Sequence, residues 1–154
     1  MARGYTAQGT AGVSYAANTT KTLVAVMPAL GADLDLYEIG VSADGTTGTA
    51  LALVVELLAI SAIGTGTSVT PSQDFGASGS SSGTAAYTHT VEPTIVSGGT
   101  IRSWYMTPNQ PTVVYQFPLG RETNRGTGVG YAVRVTNPTS GTTVNVRGWV
   151  GWVE

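Results

Sequence analysis

The chain has 154 residues and a mass of 15.7 kDa, which is enough for one domain with one hydrophobic core. Its hydrophobic fraction of 42% excludes a disordered chain, but only 10% of its residues are charged, whereas about 25% is usual in soluble domains. A net charge of -2 with scattered arginines argues against nucleic-acid binding, and the absence of cysteine excludes disulfides and thiolate sites.

Residues 1–20 are rich in alanine, glycine and threonine and show no sustained hydrophobic period. We predict an extended N-terminal arm that becomes ordered when a partner holds it, with a short edge strand at residues 13–16 as the alternative. The beginning of the chain lacks the apolar core of a signal peptide, so export by that route is not expected.

Strand patterns begin after this segment. Residues 22–27 form an apolar run that ends at Pro28. Residues 34–41 alternate between apolar and polar or small side chains, which predicts a strand with one buried face. An Asp-Gly pair follows and predicts a turn over residues 44–48, because glycine adopts a positive φ freely.

Residues 50–63 are the ambiguous segment, since their leucines and valines also fit the spacing of a helix. Gly-Thr clusters flank the segment and no capping residue is well placed, so we predict a long, mostly buried strand. The run is interrupted by Glu56 and Ser61 and is shorter than the roughly 20 residues that a membrane helix needs. No membrane partner is expected.

The second half of the chain continues the strand pattern. By composition, residues 72–83 form a flexible loop and residues 118–126 the largest charged loop. We expect a strand pair to form around a turn at residues 108–111, and a further turn at residues 137–141. The predicted strands in this half are residues 68–70, 86–91, 100–106, 112–117, 129–136 and 144–153.

About eight or nine short strands without a helix predict an all-β fold. We predict a single-domain antiparallel β-sandwich over residues 21–154, jelly-roll-like with about eight strands, although other Greek-key sandwiches give the same pattern. The chain contains 21 glycines, 24 threonines and 12 serines, and many of the threonines lie inside the strands. Such an uncharged surface favours association, because little repulsion keeps copies apart.

Residues suited to catalysis are few. His89 is the one histidine, and a general base needs a positioned nucleophile or acid beside it, so a structural role on a strand face is favoured. Asp33 and Asp35 point to one side of an extended chain but lack the repeated oxygen donors of a calcium loop. Residues 126–130 resemble a phosphate loop without its lysine, and are interpreted as the entry to a strand. We predict no enzyme, no cofactor and no metal.

The aromatic residues point to contacts. Trp149 and Trp152 are an odd number of positions apart, so along one strand they face opposite sides and the core takes only one of them. The other meets solvent, a ligand or another subunit, and a subunit contact is favoured, with a ring lying flat on the sheet as the alternative. Trp104 and Tyr105 lie on one predicted strand, and Tyr115 and Phe117 on its expected partner.

From Tyr37 onward the sequence resembles the small decoration, or cement, proteins of tailed-bacteriophage heads. The resemblance is carried by YEIGVS leading into GTTGTALALVVELL, by GTGTSVTP, by VYQFPLGRE at residues 114–122, and by the ending VNVRGW at residues 144–149. It spans about three quarters of the chain, and QFPLGRE is its most distinctive part.

This resemblance implies a non-enzymatic virion structural protein that binds and stabilises the assembled phage head. The protein would be a homo-oligomer, most simply a homotrimer, made in the host cytoplasm and seated on the capsid exterior against the major capsid protein. The interface candidates are Trp104, Phe117, Arg121, Glu122, Arg125, Trp149 and Trp152. In the alternative interpretation Phe117 belongs to the core and the three charged residues form a solvated loop.

A second function from a different class stays open. A carbohydrate- or receptor-binding β-sandwich of a phage tail or fibre would use exposed tryptophans, Trp104 or Trp152, to stack on sugar rings. An enzyme would require His89 and two acids to converge in one cleft.

Overall fold

Strands account for the regular structure throughout the described chain. The computed structural model describes residues 2–44, 52–107, 112–118, 120–138 and 143–154, and within these ranges it contains no helix. The strands are β1 (Gly4–Gln8), β2 (Val13–Tyr15), β3 (Thr19–Met27), β4 (Asp35–Ala43), β5 (Leu53–Ala62), β6 (Thr65–Val69), β7 (Ser72–Phe75), β8 (Thr84–Val91), β9 (Thr94–Met106), β10 (Thr112–Gln116), β11 (Gly130–Asn137) and β12 (Val144–Val153).

Two antiparallel sheets pack face to face around one main core. The first sheet has the order β10-β4-β12-β1-β7, with β2 also paired to β12, and the second has the order β6-β8-β3-β11-β5-β9. Side chains from both sheets form the core, among them Leu36 and Trp152 from the first sheet and Val55 and Tyr131 from the second. The predicted all-β sandwich is confirmed, with twelve described strands in place of about eight.

Eight of the strands have the connectivity of a jelly roll. These are β1, β3, β4, β5, β9, β10, β11 and β12. Numbered one to eight along the chain, these strands lie in the order 1-8-3-6 in the first sheet (β1-β12-β4-β10). In the second sheet they lie in the order 2-7-4-5 (β3-β11-β5-β9). This is the double Greek-key wrapping of a jelly roll, as expected from the strand pattern. Of the four remaining strands, β2 pairs with β12 in the first sheet, and β6, β7 and β8 form an insertion that extends both sheets at the same edge.

The N-terminal segment differs from the predicted arm. β1 lies between β12 and β7 and pairs with both strands, and β2 pairs with β12. Tyr5, Ala7 and Tyr15 are at most 1% exposed and belong to the core. These buried residues alternate with more polar neighbours, as in a half-buried strand. The many small residues of this segment make the alternation hard to recognise in the sequence. The alternative, a short strand near residues 13–16, corresponds to β2.

Within the segment predicted as a buried strand, residues 50–63, the structure has β5 over residues 53–62. The neighbours of β5 explain why this segment is a strand although its spacing fits a helix. β5 pairs with β11 on one side and β9 on the other. Leu57 faces the main core, whereas Leu58 and Ile60 face the outer side and form a second apolar cluster. A strand that is buried on both faces needs apolar residues at successive positions, and this requirement produces the run that also fits a helix.

The expected pairing of residues 100–106 with residues 112–117 is wrong. Both segments are strands, but β9 pairs with β5 in the second sheet and β10 pairs with β4 in the first. Although consecutive in the chain, β9 and β10 therefore lie in different sheets. The predicted turn at residues 108–111 lies outside the described residues, as do most of the turns expected at residues 44–48 and 137–141.

The glycine- and serine-rich loop after β7 is held by a carboxylate. Glu154 accepts hydrogen bonds from the Ser81 hydroxyl (2.6 Å), the Ser82 amide and hydroxyl (both 2.9 Å) and the Gly83 amide (3.1 Å). It also accepts one from the Trp152 indole (3.0 Å). Burial opposes ionisation, but these donors outweigh it and lower the pKa of Glu154 to about 2. The loop predicted as flexible is therefore tied to β12.

Candidate interaction surfaces

Three aromatic rings lie over glycines on the outer face of the first sheet. We call this surface the outer-face platform. The pairs are Trp149 over Gly40, Tyr37 over Gly151 and Phe75 over Gly4. In each pair the ring occupies the space that a side chain on the glycine would fill, so it rests directly on the backbone of the sheet. This arrangement covers the gap that a strand glycine leaves.

Trp149 is fixed by its neighbours. It lies directly opposite Gly40 in the pairing of β12 with β4, and a Cβ atom on Gly40 would lie 2.0 Å from Cζ2 of the indole. The indole Nε1 donates to Oε1 of Glu38 at 2.6 Å, and Nε2 of Gln116 donates to Oε2 of the same carboxylate at 2.6 Å. Trp149 remains partly exposed. Its position is that of the sequence alternative in which the ring lies flat on the sheet.

Tyr37 holds the neighbouring part of the platform. Its hydroxyl donates to Oδ2 of Asp74 at 2.5 Å, and the Thr6 hydroxyl donates to the same oxygen. Burial and the hydrogen bond to Asp74 raise the pKa of Tyr37 to about 12. The phenol is therefore a neutral hydrogen-bond donor at physiological pH, and Asp74 is fixed as its acceptor.

A second aromatic group lies at the edge where β9 and β10 run in opposite sheets. We call it the edge cluster, and it consists of Arg102, Trp104, Tyr115 and Phe117. The Trp104 and Tyr115 ring centroids are 5.4 Å apart, and Tyr115 meets Phe117 edge to face at 4.9 Å. Cζ of Arg102 lies 4.9 Å from the Tyr115 centroid, a cation–π contact. The rings expected on paired strands thus meet across the two sheets.

Exposed apolar side chains flank the edge cluster. Tyr105 on β9 is 77% exposed and Val114 on β10 is 51% exposed. Side chains alternate along a strand, so these residues point away from Trp104 and Tyr115 toward the outer faces of the two sheets. Both strands are also the last strands of their sheets, and each has one backbone edge with no strand beside it in the described chain. Such an edge is a template for association.

The predicted interface candidates differ in how accessible the structure leaves them. Trp152 is completely buried against Tyr5, with ring centroids 6.1 Å apart, and Phe117 is 8% exposed in the core. Trp152 presents no surface to a partner or a sugar, which corrects the expectation for it. Phe117 packs in the core, as in the alternative interpretation, and its small exposed part lines a pocket with Tyr37 and Glu122. Trp104 and Trp149 are partly exposed.

The three charged candidates lie on the loop before β11. Arg121 and Arg125 are exposed, and the Glu122 carboxylate accepts a hydrogen bond from the Gly120 amide at 3.1 Å. Asn124 anchors the loop, because its amide donates to Asp33 at 2.9 Å and to Asp35 at 2.6 Å. The two aspartates face the same side as predicted, and an amide bridges them.

The glycines at residues 126–130 lead into a strand, as predicted. β11 begins at Gly130, and Gly126 and Gly128 adopt φ angles of 88° and 76°. A Cβ atom on Gly130 would lie 2.2 Å from the carbonyl oxygen of Val26, so this position needs the close backbone approach that only glycine allows.

His89 is a buried residue of β8. It is 6% exposed, and neither ring nitrogen has a hydrogen-bond partner in the described part of the chain. Burial lowers the pKa of His89, while the nearby Glu92 carboxylate and the backbone of Thr22 and Ile63 close to the ring oppose the shift. Glu92 in turn accepts hydrogen bonds from the Thr22 amide (2.9 Å) and hydroxyl (2.5 Å). The convergence of His89 with two acids that an enzyme would need is not seen among the described residues.

We expect the burial of His89 to make stability depend on pH. Its folded-state pKa lies below the unfolded value of 6.5, so the unfolded chain binds the proton first and the free energy of unfolding falls as pH drops below about 6.5. The slope is at most about 1.4 kcal/mol per pH unit. Urea denaturation at several pH values between about 7 and 5 measures it. A His89→Leu variant is the control, and an equally steep fall in that variant would contradict the assignment.

The described residues contain neither a metal-ligand cluster nor a membrane-spanning helix. No group of three or more His, Cys, Asp or Glu side chains in these ranges is arranged to hold a metal ion. Within the same ranges there is no helix long and apolar enough to cross a membrane.

Known proteins resemble this chain only distantly. No protein-family model matches the sequence, and no curated protein matches it. Among solved structures, the T13 particle of infectious bursal disease virus aligns with a TM-score of 0.27 and 13% identity, over 99% of this chain and 39% of that one. The Gx strain of the same virus gives 0.26 and 14%, over 99% and 40%.

The VP2 subviral particle of infectious bursal disease virus gives a TM-score of 0.27 and 13% identity, over 98% of this chain and 41% of that one. The chain thus spans about two fifths of the length of the structures it matches.

Sequence reasoning missed the outer-face platform. Tyr37, Phe75 and the glycines beneath the rings lie on strands that are far apart in the chain, and only strand pairing brings each ring to its glycine. One signal was present: Gly40 and Gly151 both interrupt strands with otherwise regular alternation. A glycine inside a strand indicates a close approach by another group.

Proposed function

We propose that this protein is a non-enzymatic structural protein of a virion, which binds the exterior of an assembled phage capsid as a homotrimer and stabilises it. The jelly-roll order of the strands supports this role, because this fold is used repeatedly in viral shells. The low charge and the resemblance in sequence point the same way. The major capsid protein is the proposed partner.

The observation that carries the proposal is the edge formed by β9 and β10. Two exposed apolar side chains, Tyr105 and Val114, flank two strand edges that lack a neighbour in the described chain. Contact with another subunit at this edge removes apolar surface from water and pairs free backbone groups. Many copies on one shell then gain avidity even where each single contact is weak.

Solution mass and capsid binding test the proposal together. We expect a trimer whose contacts each bury more than about 1,000 Å² and which co-sediments with emptied capsids of the virus that encodes it. Tyr105→Glu and Val114→Glu place a charge on exposed positions, so the fold is retained while the trimer and capsid binding are lost. Val91→Glu is the matched control, because Val91 is 58% exposed on β8, away from this edge.

A protein that stays monomeric at high concentration and fails to bind capsids would contradict the proposal. If both edge variants form trimers and bind capsids like the wild type, the edge of β9 and β10 is not the contact surface. If only Val91→Glu loses capsid binding, the contact lies elsewhere on the protein.

A further inference from the structure

The outer-face platform borders a groove with the composition of a ligand site. The groove has a volume of about 440 Å³ and is lined by Thr6, Gln8, Tyr37, Glu38, Asp74 and Trp149. The groove is shallow and open to solvent, and like small-molecule sites it combines aromatic rings with a few placed polar groups. Every lining residue is aromatic, acidic, or an amide or hydroxyl, and none is aliphatic. We propose that this groove binds a saccharide, with a sugar ring stacked on Trp149.

The indole provides the stacking surface. One side of the ring rests on the backbone at Gly40, so its other side faces outward from the sheet. The face of an aromatic ring is electron-rich and attracts partially positive groups. The C–H groups on one side of a pyranose form such a surface, flat and weakly positive. The hydrogen bond from Nε1 to Glu38 keeps the ring in this orientation before any ligand arrives.

The two carboxylates provide acceptors for sugar hydroxyls. Each oxygen of Glu38 accepts one hydrogen bond, from Trp149 and from Gln116, and a carboxylate oxygen can accept two. Asp74 is held through Oδ2 by Tyr37 and Thr6, while its Oδ1 accepts no hydrogen bond from the described residues. Hydrogen bonds from hydroxyls to an ionised carboxylate are about twice as strong as neutral ones.

The same acids argue against a second copy of the chain as the occupant. Covering Glu38 and Asp74 with protein removes two charges from water, which is unfavourable unless each meets a cation. The chain has only seven lysines and arginines, and none of them lines the groove. A saccharide leaves the carboxylates hydrogen-bonded. The inference does not rest on the capsid role, because the groove residues and the contacts of Tyr105 are separate. Val114 lies beside Gly40 on the platform's own face, so sugar binding and capsid binding are measured separately.

Titration of the three indole N–H signals tests the proposal. Methyl glycosides of glucose, galactose and N-acetylglucosamine, and soluble oligosaccharides of each, are added to ¹⁵N-labelled protein up to several times a Kd of about 1 mM, the range of a weak site. The indole signal assigned to Trp149 with a Trp149→Phe variant is expected to shift and saturate, while that of the buried Trp152 stays fixed. A glycan array then identifies the preferred sugar.

Variants test whether the groove is the site of sugar binding. Trp149→Ala and Asp74→Asn are each expected to weaken binding at least tenfold, and Asp74→Asn keeps the test valid if the first variant fails to fold. Trp104→Phe, at the edge cluster, is the control and retains wild-type affinity. The proposal is overturned if no sugar shifts the Trp149 signal, if binding survives both platform variants, or if the trimer interface covers Trp149. Capsid binding by Trp149→Ala is measured as well. If this variant binds capsids like the wild type, a failure of the saccharide proposal leaves the proposed capsid role standing.

Discussion

Replacing Trp152 with alanine is expected to lower the free energy of unfolding by about 3–5 kcal/mol, the usual cost of truncating a buried tryptophan. Trp152 is 0% exposed, packs against Tyr5 and donates its indole N–H to Glu154. The truncation removes buried apolar contacts and leaves a cavity between the sheets. Since domains of this size are stable by about 5–15 kcal/mol, such a loss is a large part of the total.

Trp149→Ala is the matched comparison. That ring lies on the outer face and is partly exposed, so we expect its loss to cost about 1 kcal/mol, near the centre of the range for single substitutions. Urea denaturation followed by circular dichroism measures both variants. Equal losses, or a larger loss for Trp149→Ala, would contradict the assignment of Trp152 to the core.

Gly40→Val is expected to displace the Trp149 ring. A Cβ atom at this position would lie 2.0 Å from Cζ2 and 2.2 Å from Cε2 of the indole, so the ring has to leave the sheet. The hydrogen bond to Glu38 breaks with it. We expect a destabilisation of about 1–3 kcal/mol, the usual cost of inserting methyl groups into a packed position, together with loss of saccharide binding.

A control and a double variant make this test specific. Gly12→Ala introduces a Cβ atom whose nearest neighbour, Cβ of Asn145, is 3.4 Å away, so little change in stability is expected. In the double variant Gly40→Val with Trp149→Ala, the clash is absent and the cost of the valine is expected to disappear. Additive effects of the two substitutions would show that the ring does not lie on Gly40.

Local periodicity explains which parts of the fold were predictable. The alternation of residues 34–41 identified β4 as a strand. Residues 50–63 were predicted as a strand from the Gly-Thr clusters at both ends and the missing cap, since their periodicity also fits a helix. The strand count then led to the sandwich. Small residues defeated the same reasoning in residues 1–20, because Gly4 and Ala7 weaken the apolar signal of β1 although both are buried. The loop after β7 was misjudged because its anchor, Glu154, lies 71–73 residues away.

The candidate sites were predictable to a smaller extent. Residue type alone selected Trp104 and Trp149, and both lie at surfaces that other groups can reach. The edge cluster was anticipated as a set of aromatic residues, but with β9 and β10 as paired strands. The prolines at residues 108 and 111 indicate that the chain changes direction. A hairpin and a connection between two sheets both require such a change, so the prolines do not distinguish them.

The sequence by itself determined that the protein is all-β, that its surface is poor in charge, and that Trp149 and Trp152 face opposite sides of one strand. Only the tertiary structure decided which of the two is buried and which lies on Gly40. The physical reason is that a period of two residues assigns side chains to the faces of a strand, whereas the neighbouring strand depends on distant parts of the chain. Trp149 and its partner Glu38 are 111 residues apart, and their contact exists only because β12 pairs with β4.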